Sequence, residues 1–216
     1  MMKRTQVSLA IGAAFSAGLI GFSPGVLAQQ QLDRVEVTGS RIKRIDAETA
    51  SPVQIMSLGL GELMIFLAFG PILTWGAYYV QTGKFSLAGA AVSLPLAFLI
   101  TAISWINEFP DMEADLAAAK HHLVARLGLK GSRWVYAALM IAPFVSLFVL
   151  MEIFHLPDLI VAALLPLPLA VRAVRLVFRT PPTDPEFVPA QALTIQTHFL
   201  TGLTLTLALL YAAWWR

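Results

Sequence analysis

The sequence predicts an all-α membrane protein, in which a bundle of about five transmembrane helices follows a leader and a poorly ordered polar segment. Of the 216 residues, 57% are hydrophobic and 13% are charged, and the mean hydropathy is +0.72. Soluble domains carry roughly a quarter charged residues, so this balance indicates a membrane protein. Five stretches reach the length of about 20 mostly apolar residues that a spanning helix needs, namely 61–81, 86–107, 134–154, 158–178 and 192–215.

Residues 1–28 are predicted to be a signal-peptide-like leader. Lys3 and Arg4 form its basic start, residues 7–22 form a largely apolar core, and Ala28 ends an approximate small-residue cleavage signal. A short membrane anchor that stays attached is the alternative.

Residues 29–57 form a polar segment of mixed charge. Val35 and Val37 alternate with polar neighbours in a short strand pattern that ends at Gly39. With the leader, the stretch LDRVEVTGSRIKRIDAETASPVQ resembles the start of a TonB-dependent outer-membrane receptor, where the plug domain begins. This resemblance implies a receptor-related membrane protein, but the sequence beyond it lacks the repeated alternation of barrel strands.

Residues 58–216 are predicted to form the helical domain. Prolines inside its apolar stretches are compatible with membrane helices, because neighbouring helices can satisfy the freed carbonyl groups. Short connections between the stretches predict antiparallel neighbours. The chain contains no cysteine, which excludes thiolate metal sites and cysteine nucleophiles. Its net charge of +2 and its short basic clusters do not favour nucleic-acid binding.

The positive charges predict the orientation of the bundle. Most of them lie between the second and third spans or at the end of the fourth, at Lys120, Arg126, Lys130, Arg133, Arg172, Arg175 and Arg179. The opposite side carries only Lys84 and Arg216. A multi-pass protein of the inner (cytoplasmic) membrane is therefore predicted, with residues 107–122 on the cytoplasmic face. A working leader would place residues 29–58 on the face opposite the cytoplasm, which conflicts with this orientation. Either the leader does not act as one, or the chain is a fusion of two unrelated coding pieces. We favour the fusion.

Residues 107–122, NEFPDMEADLAAAKHH, concentrate acids beside an apolar stretch. Asn107, Asp111 and Asp115 are spaced i, i+4, i+8, which would align them on one face of a continuous helix. Pro110 argues against continuity, because the residue before a proline avoids the helical region. We therefore predict that one helix ends near Phe109 and that another starts with Pro110 in its first turn.

Two interpretations of this stretch remain open. The acids could belong to a solvated turn beside the membrane, where they complement a helix N-terminus. Alternatively, Asp111 and Asp115 are like charges on one face, which destabilises the helix. No Lys or Arg lies four residues after any of the four acids in this stretch, which are Glu108, Asp111, Glu113 and Asp115. A Mg²⁺ ion shared by Asp111 and Asp115 is therefore favoured. Lys120 and Arg126 would then add charge for a phosphate. A diphosphate with an apolar tail would suit both the site and the bundle.

Three stretches resemble a known family: GLGELMIFLAFGP at 59–71, YYVQTG at 78–83 and INEFPDMEADLAAAKHHLVARLG at 106–128. They are similar to the C-terminal half of a UbiA-superfamily polyprenyltransferase, in particular the branch that prenylates 1,4-dihydroxy-2-naphthoate in menaquinone synthesis. The resemblance implies transfer of an isoprenyl group from a prenyl diphosphate to an aromatic acceptor, with Mg²⁺ as cofactor.

The resemblance also implies roles for individual residues. Asp111 and Asp115 are the predicted catalytic residues and metal ligands. Asn107, Lys120 and Arg126 are the predicted diphosphate-binding residues, with Asn107 on the metal side.

The chain departs from the family pattern in several places. Ala119 and His122 stand where the family usually has Gly and Thr. Such enzymes also carry a first aspartate-rich motif in an N-terminal half, whereas this sequence holds a single NxxxDxxxD pattern. We therefore predict that the chain is inactive alone, with a second chain as one way to complete the site. A non-catalytic fusion or fragment is the alternative.

Three further polar residues are ambiguous. His121 and His122 are interpreted as polar residues of the membrane interface, although they could be ligands or bases. Glu62 is either a substrate-facing acid or an acid that favours a helix start.

Overall fold

The computed structural model describes residues 59–117 and 120–214. All regular elements in these ranges are helical, and five helical stretches are long and apolar enough to cross a membrane. They are Gly61–Thr82, Leu87–Ala117, Leu123–Phe154, Asp158–Arg179 and Pro185–Trp214. The prediction of an all-α membrane protein with about five spans is confirmed. The predicted leader and polar segment lie outside the described residues.

The five spans are divided into shorter elements where glycine or proline interrupts them. The α-helices are α1 (Gly61–Leu67), α2 (Leu73–Thr82), α3 (Leu87–Val92), α4 (Leu94–Ala117), α5 (Leu123–Phe154), α6 (Leu167–Arg179) and α7 (Val188–Trp214). A π-helical turn at Ala68–Ile72 joins α1 to α2, and 3₁₀ turns at Asp158–Leu164 and Pro185–Phe187 precede α6 and α7.

The first span bends where it crosses α4. Pro71 cannot donate a backbone hydrogen bond, and Gly70 adopts φ −107° and ψ −105°, outside the helical region. A Cβ atom on Gly70 would overlap the side chain of Ala97 in α4. The absence of a side chain at this position therefore allows the two helices to approach closely, as is common between membrane helices.

Helix α4 runs without a break through Pro110. The predicted helix end near Phe109 is therefore wrong. Pro110 removes one intrahelical donor, the one that would pair with the carbonyl of Ile106. Ile106 and Phe109 are both buried in the core, at 0% and 2% exposure, and their packing offsets this loss. Because the helix is continuous, residues 107, 111 and 115 lie on one face.

The core lies mainly between α4, α5, α6 and α7. Its largest buried side chains include Leu99, Trp105, Ile106, Phe109, Tyr136, Met140 and Phe187. Two hydrogen bonds tie the helices together inside it. The indole N–H of Trp105 donates to the carbonyl of Ser132 at 3.0 Å, and the hydroxyls of Tyr136 and Thr194 are bonded at 2.6 Å. Polar groups at this depth need such internal partners, because lipid tails offer none.

The connection from α4 to α5 turns the chain back toward α4. Helix α5 begins at Leu123 after His122, and Gly128 bends its first turns with φ 64°, in the left-handed region. Glu62 at the start of α1 reaches the same place, because its Oε1 accepts a hydrogen bond from the Leu123 N–H at 3.0 Å. The start of α1, the end of α4 and the start of α5 therefore meet at one end of the bundle.

Candidate functional site

The three residues of the NxxxDxxxD pattern lie on the last turns of α4. Asn107 and Asp111 are exposed, and Asp115 is partly buried. The side-chain Oδ1 of Asn107 accepts a hydrogen bond from Nε2 of Gln191 in α7 at 3.1 Å. This bond fixes the amide of Asn107 beside the two carboxylates on the same helix face.

Lys120 completes this group from the connection after α4. Its Nζ donates to Oδ1 of Asp115 at 2.8 Å, and it also interacts electrostatically with Asp111. The hydrogen bond to the Asp115 carboxylate raises the pKa of the Lys120 ammonium above its ordinary value, so Lys120 stays charged at neutral pH. Lys120 lies five residues after Asp115 and past the helix end, so a search for cations four residues away misses it. It therefore relieves part of the repulsion between Asp111 and Asp115 without a metal ion.

Arg126 lies on the first turn of α5. Its Nε donates to the backbone carbonyl of His121 at 2.6 Å. The guanidinium also lies near Gly59, which precedes α1. The structure thus brings Asp115 and Lys120 into direct contact, with Asp111 on the same helix face, and it places Arg126 on the neighbouring helix start.

A second group of polar residues, not predicted as a site, lies behind Asp115. It consists of Glu62, Glu108 and His122, each of which offers one ligand atom, and these three atoms all lie within 4.8 Å of one another. His122 is only 6% exposed and lies inside the bundle, whereas His121 is exposed. We call these three residues the buried triad.

Contacts of His122 connect the buried triad to Asp115. One ring nitrogen, Nε2, lies 3.2 Å from Oδ2 of Asp115, and the other, Nδ1, lies 2.9 Å from Oε2 of Glu108. The sequence predicts Glu62 to be either a substrate-facing acid or an acid that favours a helix start. It does lie in the first turn of α1, but its carboxylate caps α5, through the Leu123 N–H. The spacing of residues along the chain gives no signal for this convergence.

The exposed acids fit a hard divalent cation such as Mg²⁺. Asp111 is exposed to solvent, and a carboxylate such as that of Asp115 offers about four lone-pair sites, so its bonds to Lys120 and His122 leave capacity for a metal. Mg²⁺ prefers oxygen ligands and is usually held by one or two carboxylates together with phosphate oxygens. The donor set of Asp111 and Asp115 beside Lys120 therefore suits a metal-bound phosphate.

Comparison with known proteins identifies the family of this chain. Residues 56–193 match the UbiA prenyltransferase family. "UbiA prenyltransferase domain-containing protein 1" of Dictyostelium discoideum is 38% identical over 100 residues, which cover 46% of this chain and 30% of that protein. "2-carboxy-1,4-naphthoquinone phytyltransferase" of Synechocystis is 25% identical over 187 residues, or 87% of this chain and 61% of the relative.

A third relative is "1,4-dihydroxy-2-naphthoate octaprenyltransferase" of Escherichia coli, which is 30% identical over 159 residues, or 73% of this chain and 51% of that protein. The chain thus spans 30%, 61% and 51% of the lengths of these three relatives. The family match includes the start of α1, the whole acidic stretch and the start of α7. Because the family match covers well over half of its residues, this chain belongs to the UbiA prenyltransferase family.

Proposed function

We propose that this chain forms part of a membrane prenyltransferase that transfers an isoprenyl group from a prenyl diphosphate to an aromatic acceptor in quinone synthesis. The observation that carries the proposal is the contact between Asp115 and Lys120, with Asp111 on the same helix face, at one end of an apolar helix bundle. The names of the relatives, which include naphthoate and naphthoquinone transferases, support an aromatic acceptor of that class.

The proposed roles follow from the chemistry of each side chain. Asp111 and Asp115 would hold Mg²⁺, with the amide oxygen of Asn107 beside them. Mg²⁺ bound there would stabilise negative charge on the diphosphate. The Lys120 ammonium would donate hydrogen bonds to diphosphate oxygens, and so would the Arg126 guanidinium. These donors favour ionisation of the allylic C–O bond, because they stabilise the leaving group more as its charge develops.

The apolar parts of the chain suit the other half of the substrate. The first span has many large apolar side chains exposed, including Leu63, Phe69, Leu73 and Val80. Such surface is compatible with lipid, with an isoprenoid tail or with a further part of the enzyme. After ionisation, an electron-rich aromatic ring would attack the allylic cation and then lose a ring proton, which restores its aromaticity.

The proposed location is the inner membrane, with the acidic motif facing the cytoplasm. The structure supports a common end for the basic residues: Arg133 donates to the Thr180 carbonyl at 3.0 Å, and Thr180 directly follows the Arg-rich end of α6.

The chain has no cysteine, so a single introduced cysteine can report the orientation of the bundle in the membrane. We expect Glu113→Cys to react with a membrane-impermeant maleimide in inverted vesicles and Lys84→Cys to react in spheroplasts. The reverse pattern would contradict the proposed orientation.

We further propose that the 216-residue chain by itself turns over no prenyl diphosphate, because it contains one NxxxDxxxD pattern. The test compares the purified chain with a chimera in which residues 59–216 replace the matching region of the Escherichia coli relative. With Mg²⁺, a prenyl diphosphate and 1,4-dihydroxy-2-naphthoate, we expect product from the chimera and none from the chain alone.

The outcomes separate the two statements. Product from the chain alone would overturn the proposed inactivity. A chimera that inserts into the membrane, folds and yet forms no product would contradict the prenyltransferase function and favour the non-catalytic alternative. Activity that appears when a second chain carrying another acidic motif is co-expressed would support a divided site.

A further inference from the structure

We propose that Glu62, Glu108 and His122, the buried triad, form a second cation site that takes a divalent first-row transition ion such as Mn²⁺ or Zn²⁺. This site is separate from the Mg²⁺ site proposed at Asp111 and Asp115. Its three ligands come from the first turn of α1, from α4 about two and a half turns before its end, and from the residue that precedes α5. A bound ion would join these three segments at one end of the bundle.

The first observation is an unpaired buried oxygen on Glu62. The residue is only 4% exposed, and its Oε1 accepts the hydrogen bond from Leu123. Its Oε2 is buried and has no hydrogen-bond partner among the described residues. A buried carboxylate oxygen without a partner is costly, and here a second carboxylate, that of Glu108, lies beside it. The repulsion between two such groups is relieved by a proton on one of them or by a metal ion that both can bind.

The second observation is the orientation of the His122 ring. A carboxylate can only accept, so Nε2 of His122 must donate its proton to Asp115 at 3.2 Å. In the neutral ring this leaves a lone pair on Nδ1, which faces Oε2 of Glu108 at 2.9 Å. The Ala125 N–H approaches Nδ1 at 3.4 Å, which is too long to be a strong competitor. Two lone pairs at this separation repel unless a proton or a metal ion lies between them, and a metal ion would also reach the Glu62 carboxylate.

The distances suit ligands that share one ion. Ligands on adjacent positions of an ion bound at about 2.1 Å lie about 3 Å apart, close to the separation of His122 from Glu108. A histidine ligand usually donates its other N–H to a carboxylate, which is the contact made by Asp115. One imidazole with two carboxylates favours Mn²⁺ or Zn²⁺ over Mg²⁺, because imidazole suits transition ions better.

The test measures metal binding directly on the full chain in detergent, after treatment with a chelator. Mn²⁺ is titrated into the Asp111→Asn variant, which weakens the site proposed at Asp111 and Asp115, and binding is followed by electron paramagnetic resonance. We expect a single tightly bound Mn²⁺ whose spin-echo spectrum shows modulation from a directly bound nitrogen. Zn²⁺ is expected to displace it.

Variants of the triad identify the ligands. Adding Glu62→Gln or Glu108→Gln to the Asp111→Asn chain is expected to weaken its Mn²⁺ binding by about tenfold or more. Glu62→Gln keeps an oxygen for the Leu123 N–H, so the helix cap survives. Glu113→Gln, an exposed acid on the same helix as Glu108, serves as the matched control and is expected to leave the affinity unchanged.

A second measurement does not depend on any variant of the triad. Saturating Mn²⁺ is expected to raise the apparent melting temperature of the Asp111→Asn chain, because an ion bound only by the folded state stabilises that state. Absence of nitrogen modulation, or equal Mn²⁺ affinity with and without Glu62→Gln and Glu108→Gln, would overturn the proposal. His122 would then be an imidazolium that bridges Asp115 and Glu108.

Discussion

Replacing Asp111 by asparagine is expected to lower kcat of the active chimera by about 10²–10³-fold, the usual loss when one group that stabilises transition-state charge is removed. Asp111 is exposed on the same face of α4 as Asp115, and it interacts electrostatically with Lys120. Asparagine keeps the size of the side chain but removes the negative charge that holds Mg²⁺. The measurement is the rate of prenyl transfer as a function of Mg²⁺ concentration, at saturating prenyl diphosphate.

Glu113→Gln is the matched control for this loss. Glu113 is an exposed acid on the same turn, two residues from both Asp111 and Asp115, which places its side chain on another face of the helix. We expect the control to retain its rate and its Mg²⁺ requirement. Equal losses of rate in Asp111→Asn and Glu113→Gln would show that only the total negative charge at the end of α4 matters. That result would contradict the assignment of Asp111 as a metal ligand.

Replacing Phe109 by alanine is expected to lower the free energy of unfolding by about 3 kcal/mol, at the low end of the usual cost for a buried phenylalanine. Phe109 is 2% exposed, and its ring lies 6.2 Å from that of Tyr136 and 6.1 Å from that of Phe187, measured between centroids. Truncation leaves a cavity where α4, α5 and the turn before α7 meet. Because lipid is as apolar as the core, transfer of the side chain out of the core contributes little to this cost. The loss comes mainly from van der Waals contacts that the alanine no longer makes.

Equilibrium unfolding in mixed detergent micelles, followed by circular dichroism, measures this loss. Phe199→Ala in α7 is the control, because Phe199 is 64% exposed in the bundle and its removal leaves no internal cavity. We expect it to change the free energy of unfolding by less than Phe109→Ala does. A cost for Phe109→Ala no larger than that of the control would contradict the packing assigned to α4.

The span boundaries show what hydropathy can and cannot predict. The first and fourth spans end within one residue of their predicted limits, at Thr82 and Arg179. The second and third spans are longer than predicted, since helix continues to Ala117 and begins at Leu123. These extensions contain polar and charged residues, so a hydropathy window stops before them although the backbone stays helical.

Pro110 and Lys120 show the limits of local rules at the site. The preference of residues before proline predicts a helix break, yet packing of Ile106 and Phe109 keeps α4 intact. The rule that pairs charges four residues apart applies within a helix, whereas Lys120 reaches Asp115 from the connection beyond it. At Pro110 the packing of α4 outweighs the local preference, whereas Lys120 lies beyond the helix to which the spacing rule applies.

The sequence by itself determined the membrane class, the number of spans, and the spacing of Asn107, Asp111 and Asp115. Each of these depends on composition or on helical periodicity, which are properties of contiguous residues. Only the tertiary structure decided that Glu62 in α1 and His122 before α5 lie with Glu108 behind Asp115. The carboxylate of Glu62 contacts a residue 61 positions away. That meeting depends on how α1, α4 and α5 pack together, and no pattern of neighbouring residues encodes it.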